Sequence, residues 1–122
     1  MSAIDGALEA ARARLERLDP TLLADALAGG ALLVDLRPEA DRRADGELPG
    51  AVVVERIHLE WRLDPTSPDR LAGVSAERPV VLFCNEGYAS SLAAAALLDL
   101  GLTHVTDLVG GYRAWAARPD PA

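Results

Sequence analysis

Apolar residues recur at Ile4, Leu8, Ala11, Leu15 and Leu18, with Glu9, Arg12, Arg14, Glu16 and Arg17 between them. This spacing predicts an amphipathic helical extension over residues 1–18, a flank docked on or solvated beside the rest of the chain. Asp19-Pro20 reads as a cap followed by proline at the first helical position, and Gly29-Gly30 ends that short helix after Ala28. Ala31 to Leu36 is apolar on both alternations, the pattern of a strand covered on two faces. A helix starting after Arg37-Pro38 carries Glu39, Asp41, Arg42 and Arg43. Between the turn signals Asp45-Gly46 and Pro49-Gly50 and the charge of Glu55, Ala51 to Val54 is expected as a second buried strand.

Residues His58 to Leu63 fit neither period cleanly, and Asp64-Pro65-Thr66-Ser67-Pro68 is a loop. Val80-Val81-Leu82-Phe83 predicts a third strand. Strong helix formers run from Ser90 or Ser91 to Leu100 and stop at Gly101. Val105 to Leu108 is the expected last strand, and Gly110-Gly111 leads into a final helix through Trp115. The tail at 119–122 is expected to fray. Strands alternating with helices over short loops predict an α/β domain with a mainly parallel central sheet and helices on both faces. Ligands of such sheets bind beyond the carboxyl ends of the strands.

Cys84, the one cysteine of the chain, falls at that edge. It follows a strand and precedes a short Gly-bearing loop that opens a helix. Backbone N–H groups and the positive helix end favour an anion there, and a thiolate over a thiol. A lone cysteine also commonly just packs, so both readings stay open on local pattern alone.

Composition narrows the classes. The 122 residues, 50% of them apolar, suit one domain with one core. A single cysteine excludes an internal disulfide, and the start of the chain lacks the basic and apolar segments of a secretion signal. A cytoplasmic protein is the expectation, with no membrane span. The net charge of −7 argues against a nucleic-acid partner and repels small anions at long range, so amides and arginines would have to hold an anionic substrate locally. His58 and His104 are not spaced with Cys84 as metal ligands would be, so no metal is expected.

Four segments in order resemble the rhodanese family of sulfurtransferases, from about Asp19 to Arg118. Leu33-Val34-Asp35-Leu36-Arg37 is similar to its Asp-x-Arg strand end. Gly46-Glu47-Leu48-Pro49-Gly50-Ala51 is similar to its Gly-His-Ile-Pro-Gly-Ala turn. Cys84-Asn85-Glu86-Gly87-Tyr88-Ala89-Ser90 is similar to its active loop, Cys-x-x-Gly-x-Arg-Ser/Thr, and Gly110-Gly111 with Trp115 to its Gly-Gly…Trp ending.

The resemblance implies a single rhodanese-like domain over 19–118. Its sulfurtransferase chemistry would pass through a Cys84 persulfide, with no cofactor. The donor would be a small sulfane-sulfur compound (thiosulfate or a persulfide), and the acceptor an external thiol or a protein. The loop amides from Asn85 to Ser90 would hold the thiolate and the outer sulfur. Asp35 and Arg37 are expected to tie the strand end to neighbouring loops.

The chain departs from the family pattern at Ala89, where arginine is usual, and at Glu47, in place of the turn histidine. Arg56 and Arg62 are candidates to supply the missing charge, or else are solvated surface residues. Tyr88 either lines the pocket mouth or packs on the surface. Two other functions compete. One is a non-catalytic or regulatory partner-binding module, and the other is the phosphatases and arsenate reductases that share this fold. The latter place arginine six positions after the cysteine, where this chain has Ser90.

Overall fold

The structure, a computed structural model, describes residues 1–119. The expected frayed tail, apart from Pro119, lies outside them. Strands β1 (Leu32–Asp35), β2 (Val52–Val53), β3 (Val80–Phe83) and β4 (Val105–Asp107) form one parallel sheet in the order β2-β1-β3-β4. Six α-helices accompany them: α1 (Ala3–Arg12), α2 (Leu23–Ala28), α3 (Glu39–Asp45), α4 (Leu59–Leu63), α5 (Ala89–Asp99) and α6 (Gly111–Ala116).

Alternation along the central strands sorts the core into two layers. Val34, Val80 and Leu82 meet Leu59 and Leu63 of α4 and Ala93, Ala94 and Leu97 of α5 on one face. Leu33, Val81 and Phe83 meet Leu23 of α2 and Tyr112 of α6 on the other. Alanines on α5 let that helix lie close to the sheet, and α1 packs on α5 from outside. Register then decides what stands beside the cysteine. Asp35 pairs with Phe83, and Leu82 pairs with Asp107. Three strand ends, two of them acidic, therefore converge where β3 gives way to Cys84.

Two expectations need correction, and one open stretch is resolved. The N-terminal helix does not reach residue 18. A capping box between Ser2 and Asp5 opens it, and it stops at Arg12. Leu18 instead runs beside Leu108: its N–H donates to Asp107 O (3.0 Å) and its carbonyl accepts from Val109 N (2.9 Å). The open side of β4 offers backbone partners that a helix at Leu18 could not use.

The second strand is shorter than 51–54 and is not buried, since Val52 and Val53 are 38% and 43% exposed. It lies at the sheet edge with β1 as its one neighbour, so its apolar run does not report burial on two faces. The ambiguous stretch becomes a 3-10 turn (Arg56–His58) leading into α4, with Leu59 and Leu63 in the core.

Candidate active site

Cys84 is half-buried at the carboxyl end of β3. The loop that follows it is held from behind by the start of α6. Tyr112 N donates to Cys84 O (2.8 Å) and Arg113 N to Asn85 O (3.0 Å). Both carbonyls are thereby committed to the start of α6. Gly87, at φ +83°, turns its N–H onto Cys84 Sγ at 3.2 Å. A Cβ on Gly87 would stand 2.8 Å from Gly110 N, so loop and Gly-Gly turn approach each other as only glycines allow. Among the described residues, the N–H groups of Glu86, Tyr88 and Ala89 have no protein acceptor. N–H groups free of protein acceptors beside a helix start favour negative charge.

The floor of the loop is polar and fully paired. The Cys84 thiol donates to Ser90 Oγ at 3.4 Å, and Ser90 Oγ donates in turn to Asp107 Oδ2 at 2.7 Å. Asp107, 0% exposed, also accepts from Ser91 Oγ (2.7 Å) and from Arg17 Nε (2.8 Å) and Nη2 (3.2 Å). A buried carboxylate persists only with such partners, and the Arg17 guanidinium supplies the opposing charge.

On the other side of β3, Asp35 and Arg37 form a second buried pair, with Nη2–Oδ2 at 2.9 Å and Nε–Oδ1 at 3.0 Å. Arg37 Nη1 donates to Asn85 Oδ1 (3.2 Å), Nη2 donates also to Gly46 O (2.9 Å), and the guanidinium carbon lies 4.2 Å from the Tyr112 ring centroid. The pair therefore joins the β1 end to the active loop and to the turn at Gly46. Asn85 completes the link by donating to Asp45 Oδ2 at 2.9 Å.

Glu86, Tyr88 and Ala89 are exposed at the loop surface, and Ser90 is buried. Tyr88 is 59% exposed, with the Arg12 guanidinium 5.5 Å from its ring centroid. Among the described residues, neither Arg56 nor Arg62 makes a hydrogen bond or ion pair to the loop. Arg56 pairs with Glu60 at 2.7 Å, and Arg62 donates to the Asp69 carbonyl at 2.8 Å. Both follow β2, and β1 stands between that strand and β3.

Besides Arg37, which reaches Asn85, three further guanidiniums stand at the loop, and sequence reasoning missed them. Arg12 and Arg17 donate to the Gly87 carbonyl at 2.7 and 3.1 Å, and Arg113 stands 3.5 Å from Glu86. Asp107 was missed as well, although an acidic residue at the end of an apolar strand repeats the pattern of Asp35. Among the described residues no cluster of His, Cys, Asp and Glu could hold a metal ion. No helix there is long and apolar enough to cross a membrane.

Residues 19–118 match the family model of the rhodanese-like domain. The chain belongs to that family. Among its relatives is the thiosulfate sulfurtransferase GlpE of Stutzerimonas stutzeri (strain A1501). It is 31% identical over 86 residues, which cover 70% of this chain and 71% of that protein. A sulfurtransferase of Allochromatium vinosum is 36% identical over 85 residues, covering 70% and 71%. A solved structure from Rhodopseudomonas palustris CGA009, described as a protein of unknown function and possible tyrosine phosphatase, superposes with a TM-score of 0.85. It is 31% identical and covers 98% of this chain and 94% of its own. That similarity takes in the segment before residue 19, where the family match begins.

Proposed function

We propose that this protein is a sulfurtransferase that carries a sulfane sulfur on Cys84. The observation that carries the reading is the seat of Sγ, which accepts from Gly87 N at 3.2 Å beside loop N–H groups that have no protein acceptor. The Cys84 thiolate attacks the outer sulfur of the donor, forming an Sγ–S bond. The donor's S–S bond breaks, and its electron pair leaves on sulfite when the donor is thiosulfate, or on a thiolate when it is a persulfide. The new terminal sulfur is anionic, and the loop N–H groups stabilise it as an oxyanion hole stabilises developing charge. An external thiolate, free or on a protein, then attacks that sulfur and restores the Cys84 thiolate. With one cysteine in the chain, the acceptor comes from outside. No cofactor enters either step. The cytoplasm, where free thiols are maintained, is the compartment we expect.

The description of the Rhodopseudomonas palustris protein raises phosphate chemistry as the alternative. Ser90 stands six positions after Cys84, buried and tied to Asp107, so no guanidinium of the loop clamps a phosphate. A purely binding role would leave the seated thiol without a task.

Intact-mass spectrometry after exposure to thiosulfate or polysulfide tests the reading. One added sulfur atom, removed by a thiol and absent in Cys84→Ser, is the expected result. A native protein that never gains sulfur from either donor, or that hydrolyses p-nitrophenyl phosphate faster than it transfers sulfur, would overturn it.

A further inference from the structure

The carbonyl of Gly87 is the meeting point of two arginines from outside the family's matched residues. Arg12 Nη2 donates to it at 2.7 Å and Arg17 Nη2 at 3.1 Å. Ser91 Oγ is 3.3 Å from the same oxygen but has one proton, which its shorter contact of 2.7 Å gives to Asp107. Arg12 also donates through Nε to Ser91 Oγ at 3.1 Å, so it bridges the loop and α5. Arg17 is neutralised by Asp107, whereas Arg12 has no carboxylate within ion-pair distance among the described residues. The family's loop arginine is absent at Ala89, and Arg12 stands over the neighbouring Tyr88 ring.

We propose that Arg12 and Arg17 are positioning residues that fix and polarise the Gly87–Tyr88 peptide, so that the N-terminal segment completes the anion cradle of Cys84. A trans peptide holds its C=O and N–H antiparallel, and the described chain has no cis peptide. Two guanidiniums pulling the Gly87 carbonyl to the α1 side thus aim the Tyr88 N–H away from them. That N–H has no protein acceptor. The need is specific to this position, because Gly87 tolerates either orientation of the following peptide and gives the loop no stiffness of its own. Cations on the carbonyl also strengthen the N–H as a donor, as hydrogen bonds in a chain polarise one another. Arg12 in this way brings positive charge to the loop through its backbone. The inference rests on the persulfide reading only for which anion the cradle receives.

The test avoids sulfur transfer. Cys84 is alkylated with iodoacetate, which is anionic, and with iodoacetamide, which is neutral, in the full-length native protein and in Arg12→Gln, with thermal melting to confirm the fold. Arg12→Gln is expected to lower the iodoacetate-to-iodoacetamide rate ratio about tenfold, the scale of one charge-assisted contact. Arg12→Lys, which keeps a cationic donor, should recover most of it. A change of packing alone would slow or speed both reagents together. An unchanged ratio in folded Arg12→Gln, or a Lys variant no better than Gln, would overturn the proposal. Should Arg12→Gln fail to fold, Arg17→Lys decides in its place. It retains the counter-charge of Asp107 and loses the fork that reaches Gly87, so an unchanged ratio there likewise overturns the proposal. Because sulfur loading of the native protein is measured separately, failure of this inference is distinct from failure of the sulfurtransferase reading.

Discussion

Gly111→Ala probes whether the turn before α6 holds the Cys84 loop in shape. Gly111 has φ +64°, and a Cβ there would lie 2.7 Å from the Asn85 carbonyl carbon and 2.8 Å from its oxygen, as well as against Cys84 O. Left-handed backbone costs a non-glycine residue roughly 1–2 kcal/mol. The contact adds a packing cost of about 1–3 kcal/mol, because the atoms met are backbone and cannot rotate away. The two together come to roughly 2–5 kcal/mol, against a total stability of about 6–18 kcal/mol for a chain of this length. The variant should therefore fold at room temperature and melt about 8–20 °C lower.

Gly50→Ala is the control, since Gly50 has φ +85° with nothing within 4 Å of its Cβ position. It should lose only the backbone share. Circular dichroism melts of the two variants measure the difference. Iodoacetamide labelling of Cys84 should change in Gly111→Ala and not in Gly50→Ala. Equal melting losses with unchanged Cys84 labelling would show that the close approach of the Gly-Gly turn does not hold the loop.

The exposed position 89 offers a gain-of-charge experiment. Ala89→Arg should lower the apparent KM for thiosulfate about tenfold, on the scale of a charge-assisted contact of roughly 1.5–3 kcal/mol, and change that for a less charged persulfide donor little. Equal effects in steady-state kinetics with the two donors would mean that the side chain reshapes the loop instead. Asp19 caps the turn before α2, and the Thr21 hydroxyl (2.7 Å), then the Thr21 N–H (2.9 Å), hold its carboxyl below its ordinary value. A lowered folded value means that the cap contributes fully above the unfolded value and is lost as pH falls through the folded one. Carboxyl carbon NMR of Asp19 should titrate below the same residue in the denatured chain, and a midpoint at or above it contradicts the capping account.

The periodicity of the chain was enough to predict an α/β domain with a parallel sheet. The strand ending at Phe83, the glycines around the loop and the Asp-x-Arg segment were readable because their signals are local. Strand edges are formed by β-branched and apolar runs, and turns by residues with special backbone freedom, wherever they occur. Cys84 with its loop was likewise visible as a unit of consecutive residues, and its neighbours in sequence are its neighbours in space.

Tertiary structure decided what sequence separation hides. Val52 and Val53 read as buried because apolar runs do not announce whether a strand is central or at an edge. Arg56 and Arg62 were candidates for the loop, and their side chains bond Glu60 and the Asp69 carbonyl instead. The two arginines that reach the Gly87 carbonyl are 70 and 75 residues away from it along the chain, and the helical period that runs from Ile4 to Leu18 concealed the break at Arg12. Whether a charged side chain faces water or a buried carbonyl depends on which element packs over it. That packing arises from long-range pairing of Leu18 with β4 and of α1 with α5, which no local pattern encodes.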